Sequence, residues 1–237
     1  MTISEIKKEA RASLKGKWGK AIKIVLAYSL LSFLVGLVQG FVGEKSLLYN
    51  IIDLAFTIIS VPLSFGLIIS FIKLKRDEDI KAFEFTKNGF SNFKKSLGIT
   101  WHIFIRILLP MICIILVIIL LLFSILFGVA HDNYILAFGI VMLYIATLIY
   151  VASRVFLYSV AYNVGYDNPE LSSKDCVLKS EYLMKGNRGN IFLLELSFVG
   201  WAMLAAFTLG IGYLLLLPYI QVSLVCFYDK IVKTKEA

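Results

Sequence analysis

The sequence predicts an all-α membrane protein: one domain, residues 1–237, forming a polytopic bundle of six spans with both termini cytoplasmic. Three observations predict this. Hydrophobic residues make up 59% of the chain and charged residues only 17%, against about 45–50% and about 25% in a soluble domain. The apolar residues fall in long runs, at 21–42, 51–72, 99–127 and 134–162, each near the ~20 residues that a spanning helix needs. A further run, residues 190–228, is 39 residues long with Glu195 as its single formal charge. As one helix it would measure about 58 Å, roughly twice the hydrocarbon thickness of a bilayer. Gly210-Ile211-Gly212 near its middle is the cheapest place to turn, so it reads as two spans, about 190–209 and 211–228. The third observation is the distribution of Lys and Arg. Of 24, 21 fall in segments that six spans place on the side of the N-terminus, Lys45 alone falls opposite, and Arg106 and Arg154 lie in spans. That asymmetry puts the basic side in the cytoplasm.

In chain order, residues 1–20 carry Lys7, Lys8, Arg11, Lys15, Lys17 and Lys20, with Ile3, Ile6, Ala10 and Leu14 at helical spacing. This reads as a basic amphipathic entry helix, suited to an anionic membrane surface. The apolar run after it is longer than a signal peptide's core and lacks a cleavage site, so it is read as an uncleaved first span. Gly36, Gly40 and Gly43 lie along that span as a small-residue face for packing against another helix of the bundle, or less simply against a second copy. Span two holds Asp53 near its start, expected at the interface, and Pro62 near its middle, expected to kink the helix or free a carbonyl.

Residues 73–97 form a polar segment with seven basic side chains, in which Ile80, Phe83, Phe90, Phe93 and Leu97 recur on one helical face. That pattern reads as a helix half sunk in cytoplasmic headgroups. Nucleic acid is not expected as a partner, since no recognition motif accompanies the lysines. Span three opens with Trp101 and His102, placed at the interface like His131 in the loop 128–133, and then carries Arg106 and Pro110. Span four ends with Arg154 between Tyr150 and Tyr158. In the cytoplasmic segment 163–189, Ser172 or Ser173 is positioned to cap a helix that runs to Lys185 and is stopped by Gly186.

Charges within spans are costly and are the natural start of a functional reading. Arg106, Arg154 and Glu195 sit at about 7, 12 and 7 Å from the cytoplasmic ends of their spans at 1.5 Å per residue. They are expected to form one polar network, which Gln221 could join. Such a network reads either as a headgroup or ion site or, more simply, as ion pairing that holds the helices in register. Sequence motifs for hydrolases, nucleotide binding and dinucleotide binding are absent. Two separated histidines and three scattered cysteines offer no metal site and no disulfide framework. All three cysteines read as inert packing residues; Cys176, in a polar loop, is the one open to reaction, and nothing around it in the sequence suggests a lowered pKa. No catalytic residue, cofactor or metal is expected. The expected partners are the bilayer, anionic headgroups on the cytoplasmic face and a membrane-protein partner.

A set of short stretches runs in order through nearly the whole chain. It begins with Ala10-Arg11-x-x-Leu14-Lys15-Gly16-x-Trp18-Gly19 and Asp167-Asn168-Pro169-Glu170-Leu171-Ser172, then Ser180 and Met184-Lys185-Gly186. Leu196-Ser197-Phe198-x-Gly200-Trp201, Thr208-Leu209-Gly210-Ile211-Gly212, Pro218-Tyr219 and Phe227-Tyr228 follow. Together they resemble the bacterial integral membrane proteins of domain of unknown function 975. The resemblance implies a multi-pass bacterial membrane protein and brings no activity, substrate or catalytic residue. The functional expectation is therefore a non-enzymatic scaffold, accessory or envelope-protective factor of the cell membrane. The alternative is a small transporter or lipid-handling protein with a polar site on the cytoplasmic side.

Overall fold

The structure, a computed structural model, describes residues 2–43, 46–126 and 134–236. Lys45 and the loop 128–133, with His131, lie outside the described residues. Ten helices account for nearly all of the described chain, with no strand among the described residues. Helix α1 (Ile3–Leu14) starts at Thr2, whose hydroxyl accepts from the Glu5 amide while the Glu5 carboxylate accepts from the Thr2 amide. A turn through Gly16, at φ +79°, leads into α2 (Trp18–Val42). Ser46 caps α3 (Leu47–Lys75), which continues through Pro62. Then come α4 (Glu84–Ser91), α5 (Phe93–Leu126), α6 (Tyr134–Phe156), α7 (Ala161–Asp167), α8 (Ser173–Met184), α9 (Arg188–Phe207) and α10 (Tyr213–Glu236). Among the described residues, six helices are long and apolar enough to cross a membrane. The 39-residue run breaks where its glycines predict, between Phe207 and Tyr213, with Leu209 and Gly210 at positive φ.

The spans form three hairpins, α2/α3, α5/α6 and α9/α10, whose open ends meet. Lys17 and Lys20 at the start of α2 pair with Asp77 and Asp79 just beyond α3, at 2.5 and 2.6 Å. Lys95 early in α5 donates to the carbonyls of Asn168 and Pro169. Arg188 at the start of α9 reaches Ser153 near the end of α6, and Lys235 near the end of α10 reaches the Lys185 carbonyl. We call this end proximal.

The buried core is proximal too. In α2 it comprises Ala21, Ile24, Val25 and Ala27, in the first half of the helix; in α3 it starts at Pro62 and runs to Leu74. The distal halves show their apolar side chains outward: Phe41 is 89% exposed and Leu209 96%. In a membrane those faces meet lipid, so their exposure carries no hydrophobic penalty.

Several expectations are corrected here. The apolar face of α1 is turned inward: Ile6, Ala10 and Leu14 are fully buried, and Glu5 and Glu9 meet Lys230 of α10 at 3.6 and 3.8 Å. A packed protein partner supplies the apolar surroundings that a bilayer surface would have supplied. The segment after α3 is two helices broken at Asn92, so its apolar residues do not share one face: Ile80 is buried while Phe83 and Phe90 are exposed. The fourth apolar run ends its first helix at Phe156 and continues, after a turn, as α7. A Cβ on Gly36, Gly40 or Gly43 would meet nothing within 4 Å among the described residues, because these glycines lie in the distal half of α2 and just beyond it, where the hairpins diverge. The close helix crossing uses Gly66 of α3 and Gly89 of α4 instead. A Cβ on Gly66 would lie 1.9 Å from the Phe85 carbonyl oxygen, and one on Gly89 would lie 2.1 Å from that of Pro62. Two backbones in contact at Pro62 place Phe85 fully inside, edge-on to Tyr28.

Candidate functional site

Arg106 on α5 and Arg154 near the end of α6 come together, as expected, but the acid between them is Glu181. Arg106 Nη1 donates to Glu181 Oε2 at 2.7 Å, and Arg154 Nη1 lies 3.9 Å from Oε1. Arg154 Nη2 donates to the Tyr158 hydroxyl at 3.3 Å, so the i+4 tyrosine noted in the sequence has a role. Arg154 Nε is buried with no hydrogen-bond partner among the described residues. All three charged side chains are a little over a quarter exposed, and the cluster carries a formal charge of one positive unit.

Glu181 is held there by α8, which the sequence positions well. Ser172 caps the helix, accepting from the Asp175 amide at 3.2 Å, and Gly186 ends it at φ +87°. Ser180, beside Glu181, is fully buried and donates to the Leu157 carbonyl at 2.8 Å, fastening α8 to the turn after α6. The Asp167–Ser172 stretch is the junction that orients α8. Asp167 takes Arg76 in a bidentate pair at 2.7 and 2.8 Å, which holds the guanidinium protonated beyond its ordinary range. Asn168 accepts Lys95 on its carbonyl and Lys179 on its side chain. Cys176, at the centre of this junction, is fully buried, and burial pushes its thiol up. It is a packing residue, not a nucleophile.

Glu195 stays outside the network. Leu194 and Phe198 point α9 into the core, so Glu195 faces outward and meets no ion-pair or hydrogen-bond partner among the described residues. Gln221 is half-buried on α10 and likewise joins nothing among the described residues. A second charged cluster was not foreseen. Lys75 meets both Asp229 and Glu9, Arg76 lies 3.6 Å from Asp229, and Lys230 meets Glu5 and Glu9. It ties α1, α3, α7 and α10 together. Its signal in the sequence is faint: Lys75-Arg76 and Asp229-Lys230 are adjacent charges at the ends of two spans, and nothing local says that they meet.

A groove lies apart from both clusters, between the start of α2 and the α9/α10 hairpin. It encloses about 420 Å³ and is walled by Trp18, Trp201, Leu204, Ala205, Leu215 and Leu216, with Arg11 and Tyr219 also lining it. Its walls are apolar; Arg11 is the single charged residue among those that line it.

No curated protein and no solved structure matches this sequence. The family model described as a protein of unknown function, DUF975, matches residues 1–235. With an all-α chain of six apolar helices matched over nearly its whole length, the protein belongs to the DUF975 family.

Proposed function

We propose that the protein is a non-enzymatic scaffold, accessory or envelope-protective factor, embedded in a bacterial cytoplasmic membrane with its proximal end in the cytoplasm. The observation that carries this reading is the pairing of both intramembrane arginines with one glutamate on α8. That arrangement uses the polar groups to join three helices rather than presenting them across the membrane. The 21 basic residues of the proximal segments support the orientation, and anionic lipid is the first partner expected there.

The test is reconstitution of the full chain in vesicles. Ion leak and transbilayer movement of a fluorescent lipid should stay at the level of protein-free vesicles, and Glu181→Gln should lower the melting temperature without changing either. Flux that appears with the wild type and disappears in a folded Glu181→Gln variant overturns the reading in favour of a transporter. The apolar groove favours a second reading, lipid handling, in which the same vesicles would move the fluorescent lipid faster than protein-free ones.

A further inference from the structure

The basic side chains of the proximal end are mostly engaged. Lys17, Lys20, Lys73, Lys75, Arg76 and Lys230 all pair with carboxylates. Lys7, one turn before Arg11, donates to the hydroxyl and carbonyl of Ser197 and sits 4.2 Å over the Phe198 ring. Arg11 differs. Its Nε donates at 3.4 Å to the Lys7 carbonyl, and its two terminal nitrogens meet no acceptor among the described residues.

The same Lys7 carbonyl accepts from the Tyr219 hydroxyl, also at 3.4 Å. This shared acceptor fixes Arg11 at one end of the groove. Along α10 the lining runs Tyr219, Leu216, Leu215, along α9 it runs Trp201, Leu204, Ala205, and Thr208 and Gly212 line it from the turn between them. The far end is therefore the α9/α10 turn. Seven residues at 1.5 Å make the groove about 10 Å long. It has an exposed guanidinium at the polar end, an apolar channel below it, and Trp201 lying 60% exposed along its side. The volume falls in the range of about 300–1,000 Å³ that holds small ligands.

We propose that this groove binds one anionic phospholipid, with an acyl chain along Trp201, Leu204 and Leu215 and the phosphate on Arg11. Charge complementarity selects the occupant. A lone guanidinium at the mouth of an apolar channel matches a group that joins a phosphate to a hydrocarbon chain, and the fork of Arg suits phosphate oxygens. The inference gives the lipid-handling reading a site but does not need it, since a scaffold can hold a structural lipid.

The experiment purifies the full chain in mild detergent with phosphatidylglycerol and phosphatidylcholine and counts retained lipids by native mass spectrometry. The wild type should retain phosphatidylglycerol preferentially. Arg11→Gln should reduce that retention about fivefold to tenfold, the effect of about 1 kcal/mol or slightly more per basic group at the membrane surface. Arg11→Lys should restore part of it. Leu215→Trp, at an exposed wall position, should lower retention of both lipids without touching the charge, and so tests the site even where Arg11→Gln folds poorly. Inorganic phosphate should not displace the lipid. Equal retention in wild type, Arg11→Gln and Leu215→Trp overturns the site. Displacement by phosphate alone replaces it with a simple anion site. Lipid movement in vesicles is read separately, so its absence bears on the handling reading and not on binding.

Discussion

The proximal and distal halves of this protein are built from the same kinds of residue and are stabilised in different ways. In the proximal half, Ile6, Phe71, Phe85, Val177 and Tyr228 are enclosed by protein, and ion pairs link elements far apart in sequence. In the distal half, Phe33, Phe41, Leu54 and Phe138 are exposed. A hydrogen bond from Gln39 to Asp53, at 3.2 Å, links α2 and α3 there. The lesson is that apolar composition does not say where the core is. In lipid, a Leu on an open helix face is as comfortable as one in a protein interior, so specificity must come from close packing and polar links. Both concentrate at the proximal end.

The comparison can be broken most forcefully at its glycines. Gly66→Val or Gly89→Val drives a side chain into a carbonyl that cannot move away without separating α3 from α4. The expected loss is about 3 kcal/mol or more, above the usual overpacking range, read as a large fall in melting temperature in detergent. Gly36→Ala and Gly40→Ala, with open space around them, should be neutral or raise helix stability by up to about 1 kcal/mol per site. Similar outcomes for the two pairs would erase the distinction between the halves.

A comparable contrast uses one residue type. Phe85→Ala, fully enclosed, should cost about 3–5 kcal/mol, whereas Phe41→Ala at 89% exposure should change stability by no more than about 0.5 kcal/mol. Thermal melts of both variants decide it. For the polar links, Glu181→Gln leaves two guanidinium groups partly enclosed without their counter-charge and should cost about 1–2 kcal/mol, between the surface and fully buried limits. Glu195→Gln should leave the melt unchanged.

The smallest effect concerns Lys7. Burial, with Arg11 one turn away, holds its amine below the ordinary 10.5. The folded protein therefore binds fewer protons than the unfolded chain between that lowered value and 10.5, and Lys7 makes stability rise with pH across this window. Below it the penalty for charging the buried amine is fully present. Lys7→Met should flatten that rise, seen as the difference between the two pH–melting curves; parallel curves would remove Lys7 from the proximal core.

How much of this was legible follows the same division. The spans, the turn at Gly210, the Ser172 cap and the Gly186 stop are local, each set by periodicity or by one residue's backbone preference, and the sequence shows them. Arg106 and Arg154 were also legible as a pair, because a charge inside an apolar run demands a partner. Which carboxylate answers is a tertiary question. Glu195 is nearer an apolar context, yet Glu181 reaches both arginines because α8 folds back beneath them, and nothing within ten residues of Glu181 says so. The Gly66–Gly89 crossing hid for a similar reason: Gly36 and Gly40 share one helix with the familiar spacing, whereas the real contact divides its glycines between two helices.

The pairing of Glu5 with Lys230 has a consequence for how the chain is made. These partners are about 225 residues apart. At roughly 5–20 residues per second of synthesis, α1 is made on the order of 10–45 seconds before the helix that covers it. Through that interval Ile6, Ala10 and Leu14 must shelter on a membrane surface or a chaperone. The amphipathic character of α1 thus suits a temporary lodging as well as its final one, and the last helix to be made closes the bundle over the first.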